Sequence, residues 1–225
     1  MMNRLRTVRV IILSLCALIS LMISGYIAYR IYQETLRQRN ASDIVNTETN
    51  TDIQVKINLG SFEPLKGTPY LMAAVSSQQN YRQSYYEKEA SSTRNFLFFH
   101  VNDKSSWKLI PNNNFLFLRH EKLSLSTPAG DVPKNVGGLW YEVVKADSDG
   151  DKRLTNEDRK TIAFSDISGK NYTEIIPQVD KVLGTHQIND STLLFFYTSG
   201  AEHFVTEINI PVRQAVVTRQ LPPLQ

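Results

Sequence analysis

Apolar and polar positions along this chain divide it sharply into two parts. From Val10 to Tyr29 the sequence reads VIILSLCALISLMISGYIAY, twenty residues without a charge. At ~1.5 Å rise per residue such a helix is about 30 Å long, which matches the hydrocarbon core of a bilayer. Beyond residue 40 no long stretch repeats its apolar residues every 3.6 positions. The apolar residues there come in short runs rich in Val, Ile, Phe, Tyr and Thr, several of them alternating, with turn residues between. That pattern predicts strands at 53–58, 70–76, 95–101, 107–110, 115–118, 139–145, 161–165, 172–176, 192–198, 204–210 and 215–219. Residues 30–40 keep helical character and 41–52 are polar and aperiodic. The expected organisation is therefore a tail (1–9), a transmembrane helix (10–29), a juxtamembrane helix and linker (30–52), and a mainly β domain (53–225).

The strands echo one another. Residues 96–111 align without gaps on residues 162–177, so that Phe98 falls on Phe164, Lys104 on Lys170, Ile110 on Ile176 and Pro111 on Pro177. The register carries on to His120 and His186. Each copy reads strand, polar turn, strand, Pro, strand, with an apolar strand upstream and a polar insertion ahead of the copy. The insertions are Gln78–Thr93 and the Asp-rich stretch described below. The expected fold is two repeated four-stranded antiparallel meanders, arranged as a sandwich or as part of a propeller.

Charge changes the picture of the N-terminus. Residues 1–39 hold six Arg and one Glu, whereas the rest holds 19 basic and 21 acidic residues. The body is near neutral, which argues against a nucleic-acid partner. Arginines flank the apolar run on both sides, and the short N-terminal tail favours a cytoplasmic N-terminus. The run is too long for the core of a cleaved signal peptide and ends in a poor cleavage site, so it reads as an uncleaved anchor. The expected location is a bacterial inner membrane, single-pass, with the C-terminal domain in the periplasm. The bilayer is the partner of residues 10–29, and a protein of the cell envelope is the expected partner of the body. The only cysteine, Cys16, lies inside the apolar run, so no intramolecular disulfide can form.

The densest candidate chemistry is Asp147 to Asp158, Asp-Ser-Asp-Gly-Asp-Lys-Arg-Leu-Thr-Asn-Glu-Asp. Carboxylates occupy loop positions 1, 3 and 5 (Asp147, Asp149, Asp151), an oxygen side chain position 9 (Thr155) and an acid position 12 (Asp158). A twelve-residue loop with this spacing can wrap Ca²⁺, with the backbone carbonyl of Arg153 as a further ligand. The loop resembles those of EF-hands and dockerins at these positions. With the strand and Asp/Gly turn that follow it (Asp166 to Gly169), it also resembles blades of TolB-like β-propellers. These resemblances imply a structural calcium ion. Two positions depart from the pattern: Lys152 stands where Gly eases a left-handed turn, and Asp158 is one methylene shorter than the usual Glu. Thr155 and Asp158 together predict a short capped helix at 156–160.

Nothing else in the sequence has a catalytic signature. The four histidines are in no zinc spacing, and there is no nucleophile elbow, phosphate loop or dinucleotide fingerprint. His120 and His186, at equivalent places in the echo, read as structural, as do Trp107 and Trp140. The stretch Tyr81–Tyr86 reads as an exposed insertion or contact loop. The functional expectation is a non-catalytic interaction or scaffold module. The alternative is an enzyme or accessory subunit of an envelope complex, with a site built from scattered residues.

Overall fold

The computed structural model describes residues 17–29, 43–47, 55–83, 86–125 and 135–223. The chain divides into two units, 1–41 and 42–225. In the first, residues 17–29 form a helix exposed along its whole length. No described helix is long and apolar enough to cross a membrane. Residues 10–16 of the expected span, the expected tail and the expected juxtamembrane helix lie outside the described residues.

The second unit is mainly β, as the strand pattern predicts, and every strand pairing in it is antiparallel. The first sheet contains β2 (Val55–Leu59), β4 (Tyr70–Gln83), β5 (Tyr86–His100) and β6 (Ser106–Lys108), in the order β2-β4-β5-β6, with β3 (Glu63–Pro64) also pairing β4. The second contains β7 (Leu116–Ser124), β8 (Val136–Val144), β10 (Lys160–Ser165) and β11 (Thr173–Val179), ordered β11-β10-β8-β7. The third runs β12 (Lys181–Asn189), β13 (Thr192–Ser199), β14 (Glu202–Asn209), β15 (Gln214–Gln220), each strand beside the next. A two-stranded sheet joins β1 (Val45–Asn46) to β9 (Arg153–Leu154).

The meander count is thus corrected from two to three. The last strand of each sequence copy, β7 or β12, opens the next sheet and does not close its own. The echo itself persists: Phe98 and Phe164 are both fully buried, and Ile110 and Ile176 are both buried. His120 and His186 lie on β7 and β12, the opening strands of the second and third sheets. Strand β12 is absent from the sequence-based set because Gly184 and two bulges break its alternation. Within the expected insertion at Gln78–Thr93, β4 and β5 stay paired out to Gln83 and Tyr86. Polar side chains do not prevent a backbone ladder, so a polar run in a strand reads as a loop. Of the stretch Tyr81–Tyr86, residues 81–83 end β4 and Tyr86 begins β5, and the rest lies outside the described residues.

The second sheet lies between the other two. Successive side chains of a strand point to opposite faces, and β8 is apolar on both. Leu139, Tyr141 and Val143 pack with Met72, Phe96, Phe98 and Ile110 of the first sheet and its exit. Trp140 faces the other way, edge-on to Phe195 of the third sheet with ring centroids 5.1 Å apart, among Ile162, Phe164, Leu193 and Ile208. The Tyr141 hydroxyl, also buried, is satisfied by Ser165 Oγ at 2.9 Å. Trp107 ties the first sheet to the β10–β11 turn by donating from Nε1 to the Ser168 carbonyl (2.9 Å), with Lys170 Nζ 4.5 Å from its ring centroid. In the same turn Gly169 has φ of +75°, and a Cβ there would fall 2.2 Å from the ring of Phe98.

One charge interrupts β8. Glu142 is buried, and desolvation pushes its carboxyl above the usual range despite the opposing fields of Arg119 and Lys160. A raised folded-state pKa means that this group's contribution to stability is lost as pH climbs from the unfolded value of about 4.5 through the folded one. Glu142→Gln should therefore gain on the wild type as pH rises across that window, and the gain should level off below it. Paired thermal melts between pH 4 and pH 8 measure the difference. A constant offset over the whole range would contradict this account of Glu142.

Candidate metal centre in the Asp147–Asp158 loop

The loop leaves β8 and returns as β10, so both of its ends are fastened to the central sheet. Its interior is organised by its own carboxylates. Asp147 accepts from the N–H groups of Gly150 and Lys152, both at 2.7 Å. Asp149 accepts from Asp151 N–H at 3.0 Å, and Asp151 from Arg153 N–H at 2.9 Å. Each bond turns the backbone around its own acid, the preferred behaviour of Asp outside helices. Lys152 takes the left-handed conformation expected of this position, with φ of +66°, and Gly150 has φ of +83°. For a lysine that conformation costs on the order of 1 kcal/mol.

The result is a convergent group. One carboxylate oxygen from each of Asp147, Asp149 and Asp151 lies within 4.8 Å of the others, at the solvent-facing side of the loop. Their electrostatics reflect the crowding. Asp149 accepts the Asp151 N–H, which favours its ionised form, yet desolvation and the nearby charges of Asp151 and Asp158 lift its carboxyl above the ordinary value. Asp147 is partly desolvated, but the N–H groups of Gly150 and Lys152 hold its carboxyl below that value. Neighbouring acids that separate in this way are relieved by a cation placed among them. Three carboxylate oxygens brought this close form a group that could hold a metal ion.

Asp158 has a different place. It is fully buried, and its two oxygens are already engaged. Oδ1 accepts from Ser148 N (2.6 Å) and Ser148 Oγ (3.0 Å), and Oδ2 accepts from Thr155 N (2.8 Å). In this structure Asp158 therefore closes the loop's base and is not among the three converging carboxylates. Thr155 Oγ1 accepts from Glu157 N at 3.1 Å. The predicted helix at 156–160 is a turn, because Lys160 must already be extended to begin β10. Only half of the reciprocity anticipated for a helix cap is present on that turn: Asp158 accepts from Thr155 N, while the Thr155 hydroxyl serves Glu157 and not Asp158. Ser148, at loop position 2, has a part in this closure that no spacing rule would single out. Its Oγ also accepts from Arg159 N at 2.8 Å.

The loop's second half is clamped from outside. Arg153 and Leu154 form β9 and pair with Asn46 and Val45 of β1, and Thr47 N donates to the Lys152 carbonyl at 3.0 Å. Leu154 and Val45 are buried together against Leu116 and Val144. Residues 43–47, expected as linker, thus belong to the folded body, which a two-residue strand in a polar segment does not announce. The histidines are dispersed over four strands: His100 on β5, His120 on β7, His186 on β12 and His203 on β14. His100 pairs locally with Asp103, Nδ1 to Oδ1 at 2.8 Å.

The chain matches no protein-family model and no curated protein, so the Asp147, Asp149 and Asp151 group, which could hold a metal ion, is the feature on which a functional reading can be built.

Proposed function

We propose that this chain is a non-catalytic interaction or scaffold domain, anchored in a bacterial inner membrane by residues 10–29 and exposed in the periplasm, whose Asp147–Asp158 loop holds a structural Ca²⁺. The observation that carries the metal reading is the convergence of three carboxylates within 4.8 Å on a loop whose base is closed by a fourth. All three groups are hard oxygen donors, which suit Ca²⁺ far better than zinc or copper. The resemblance to EF-hand and dockerin loops and to TolB-like blades supports the same ion. The anchor rests on the uncharged run Val10–Tyr29 and its flanking arginines. A scaffold role suits a body in which the loop is tied into the sheets and the histidines stand apart.

The ion's effect follows from mass action. With a dissociation constant in the ~10⁻⁴–10⁻³ M range of extracellular modules, 5 mM Ca²⁺ stabilises the folded state by about 1–2 kcal/mol. For a domain of this size that raises the melting temperature by about 3–6 °C. Asp149→Asn keeps an oxygen acceptor for Asp151 N–H but removes one charge, so it should abolish most of the rise while leaving the calcium-free melting temperature nearly unchanged. Melting curves of wild type and variant at zero and 5 mM Ca²⁺ decide this. A wild-type curve unmoved by calcium ends the metal reading.

A further inference from the structure

The sequence has one Asp-Gly step, Asp149–Gly150, and no Asn-Gly step. Both residues are exposed. Asp149 Oδ1 accepts from Asp151 N at 3.0 Å, so the side chain is folded back along the peptide bond that follows it. The ring closed by that hydrogen bond runs through Cγ, Cβ, Cα and C of Asp149 and N of Gly150. Those same atoms are the members of a cyclic imide. Gly150 puts no side chain in the way, and nothing beyond its chain neighbours lies within 4 Å of where a Cβ would stand. Its N–H is already donated to a carboxylate, Asp147 Oδ1 at 2.7 Å.

Among the described residues, three other aspartates fold back in the same way. Asp103 accepts from Ser105 N, Asp151 from Arg153 N and Asp166 from Ser168 N, each at 2.9 Å. Such turns are a common use of aspartate. The residues that follow these three are Lys104, Lys152 and Ile167, whose side chains crowd the nitrogen that would have to react. Lys104 N, moreover, donates to a neutral acceptor, the His100 carbonyl, at 3.0 Å. Only at Asp149 do the folded-back carboxyl, the bare glycine and the carboxylate on its N–H coincide.

We propose that Asp149–Gly150 is a site of covalent self-modification, at which aspartate converts to isoaspartate through that imide. Gly150 N attacks Cγ of the Asp149 carboxylic acid, and an N–Cγ bond forms. The N–H proton passes to Asp147 Oδ1 and from there to the departing hydroxyl, which leaves as water. Solvent water then opens the ring. Addition at Cγ restores aspartate. Addition at the Asp149 backbone carbonyl breaks the original peptide bond, leaves that carbon as a free carboxylate and routes the chain through Cγ. One water is lost and one is gained, so the mass is unchanged and nothing is oxidised or reduced. The main chain gains a carbon, and the oxygen that held Asp151 N–H becomes a peptide carbonyl. The loop's converging group is therefore altered irreversibly at Asp149. The step needs no ion and stands apart from the calcium reading.

The test incubates full-length protein in detergent for several weeks at physiological temperature and neutral pH, with a chelator present throughout. Peptides are then mapped with a protease that cuts before aspartate but not before isoaspartate, and by electron-transfer fragmentation. The expected result is isoaspartate at Asp149 several-fold above that at Asp103, Asp151 or Asp166, with no change in mass. Gly150→Ala, whose methyl group meets no neighbour, should slow its accumulation several-fold. Asp149→Asn should enter the same imide with loss of ammonia, faster than the wild type, and end as a mixture of aspartate and isoaspartate. Isoaspartate no more abundant at Asp149 than at the other three positions would overturn the proposal. So would a Gly150→Ala protein that modifies as fast as the wild type, or an Asp149→Asn protein that keeps its amide.

Discussion

Asp158→Ala should lower the stability of the body by about 3 kcal/mol, with calcium present or absent. The expectation comes from a count of donors. Removing the carboxylate strands Ser148 N, Ser148 Oγ and Thr155 N, which Asp158 now satisfies at 2.6–3.0 Å. Each partly buried donor left without an acceptor costs about 1–3 kcal/mol, with some of that recovered as water enters. For a body of this size the loss corresponds to a fall of about 6–12 °C in melting temperature. Asp158→Asn separates acceptor geometry from charge. Its oxygen can still serve Ser148, but its amide turns a donor toward Thr155 N–H, so an intermediate loss is expected. The pattern also distinguishes Asp158 from the outer acids, since Asp149→Asn acts only on the calcium-dependent part. Urea denaturation at zero and 5 mM Ca²⁺ reads both quantities. A loss below 1 kcal/mol for Asp158→Ala would mean that the loop's base is held by something other than this carboxylate.

Gly169→Ala should be of comparable size, about 3–4 kcal/mol, through an unrelated cause. Gly169 sits at φ of +75°, which costs an L-residue about 1–2 kcal/mol. Its new Cβ would also stand 2.2 Å from the ring of Phe98, a side chain with no exposure and no room to withdraw. Overpacking of that kind costs about 1–3 kcal/mol. The two contributions separate in a double-mutant cycle with Phe98→Leu. The smaller side chain should relieve the clash but not the backbone strain, leaving a coupling energy of about 1–2 kcal/mol in favour of the double variant. Strict additivity would show that the β10–β11 turn does not press on the first sheet as described. The site matters because this turn, with Trp107 bonded to Ser168, is where the first and second sheets are fastened together.

Local pattern was enough for several features. Alternation and β-branched content located most strands, since a half-buried strand needs a period of two. Trp140 was legible as structural because a large apolar residue inside such a run has few other uses, and the echo marked Phe98 and Phe164 as equivalent positions, both of them buried. The convergence of Asp147, Asp149 and Asp151 was legible too: short side chains two residues apart in a tight loop cannot avoid one another. The segment Val10–Tyr29 is read from composition alone.

Other features depended on contacts distant in sequence. The pairing of β1 with β9 joins residues more than a hundred positions apart through a two-residue ladder, and nothing local in Val45–Asn46 signals it. Spacing placed Asp158 at loop position 12, but that its oxygens accept from Ser148 is not written in the spacing, because only the closed loop brings Ser148 to them. The echo of 96–111 in 162–177 correctly marked equivalent strands, yet it could not say which sheet β7 and β12 would join. Short-range spacing is set by covalent geometry and side-chain period, and is therefore written in the order of residues. Sheet membership and hydrogen-bond priority are settled by competition among distant groups for the same edge or the same oxygen, and that competition is resolved only when the chain has packed.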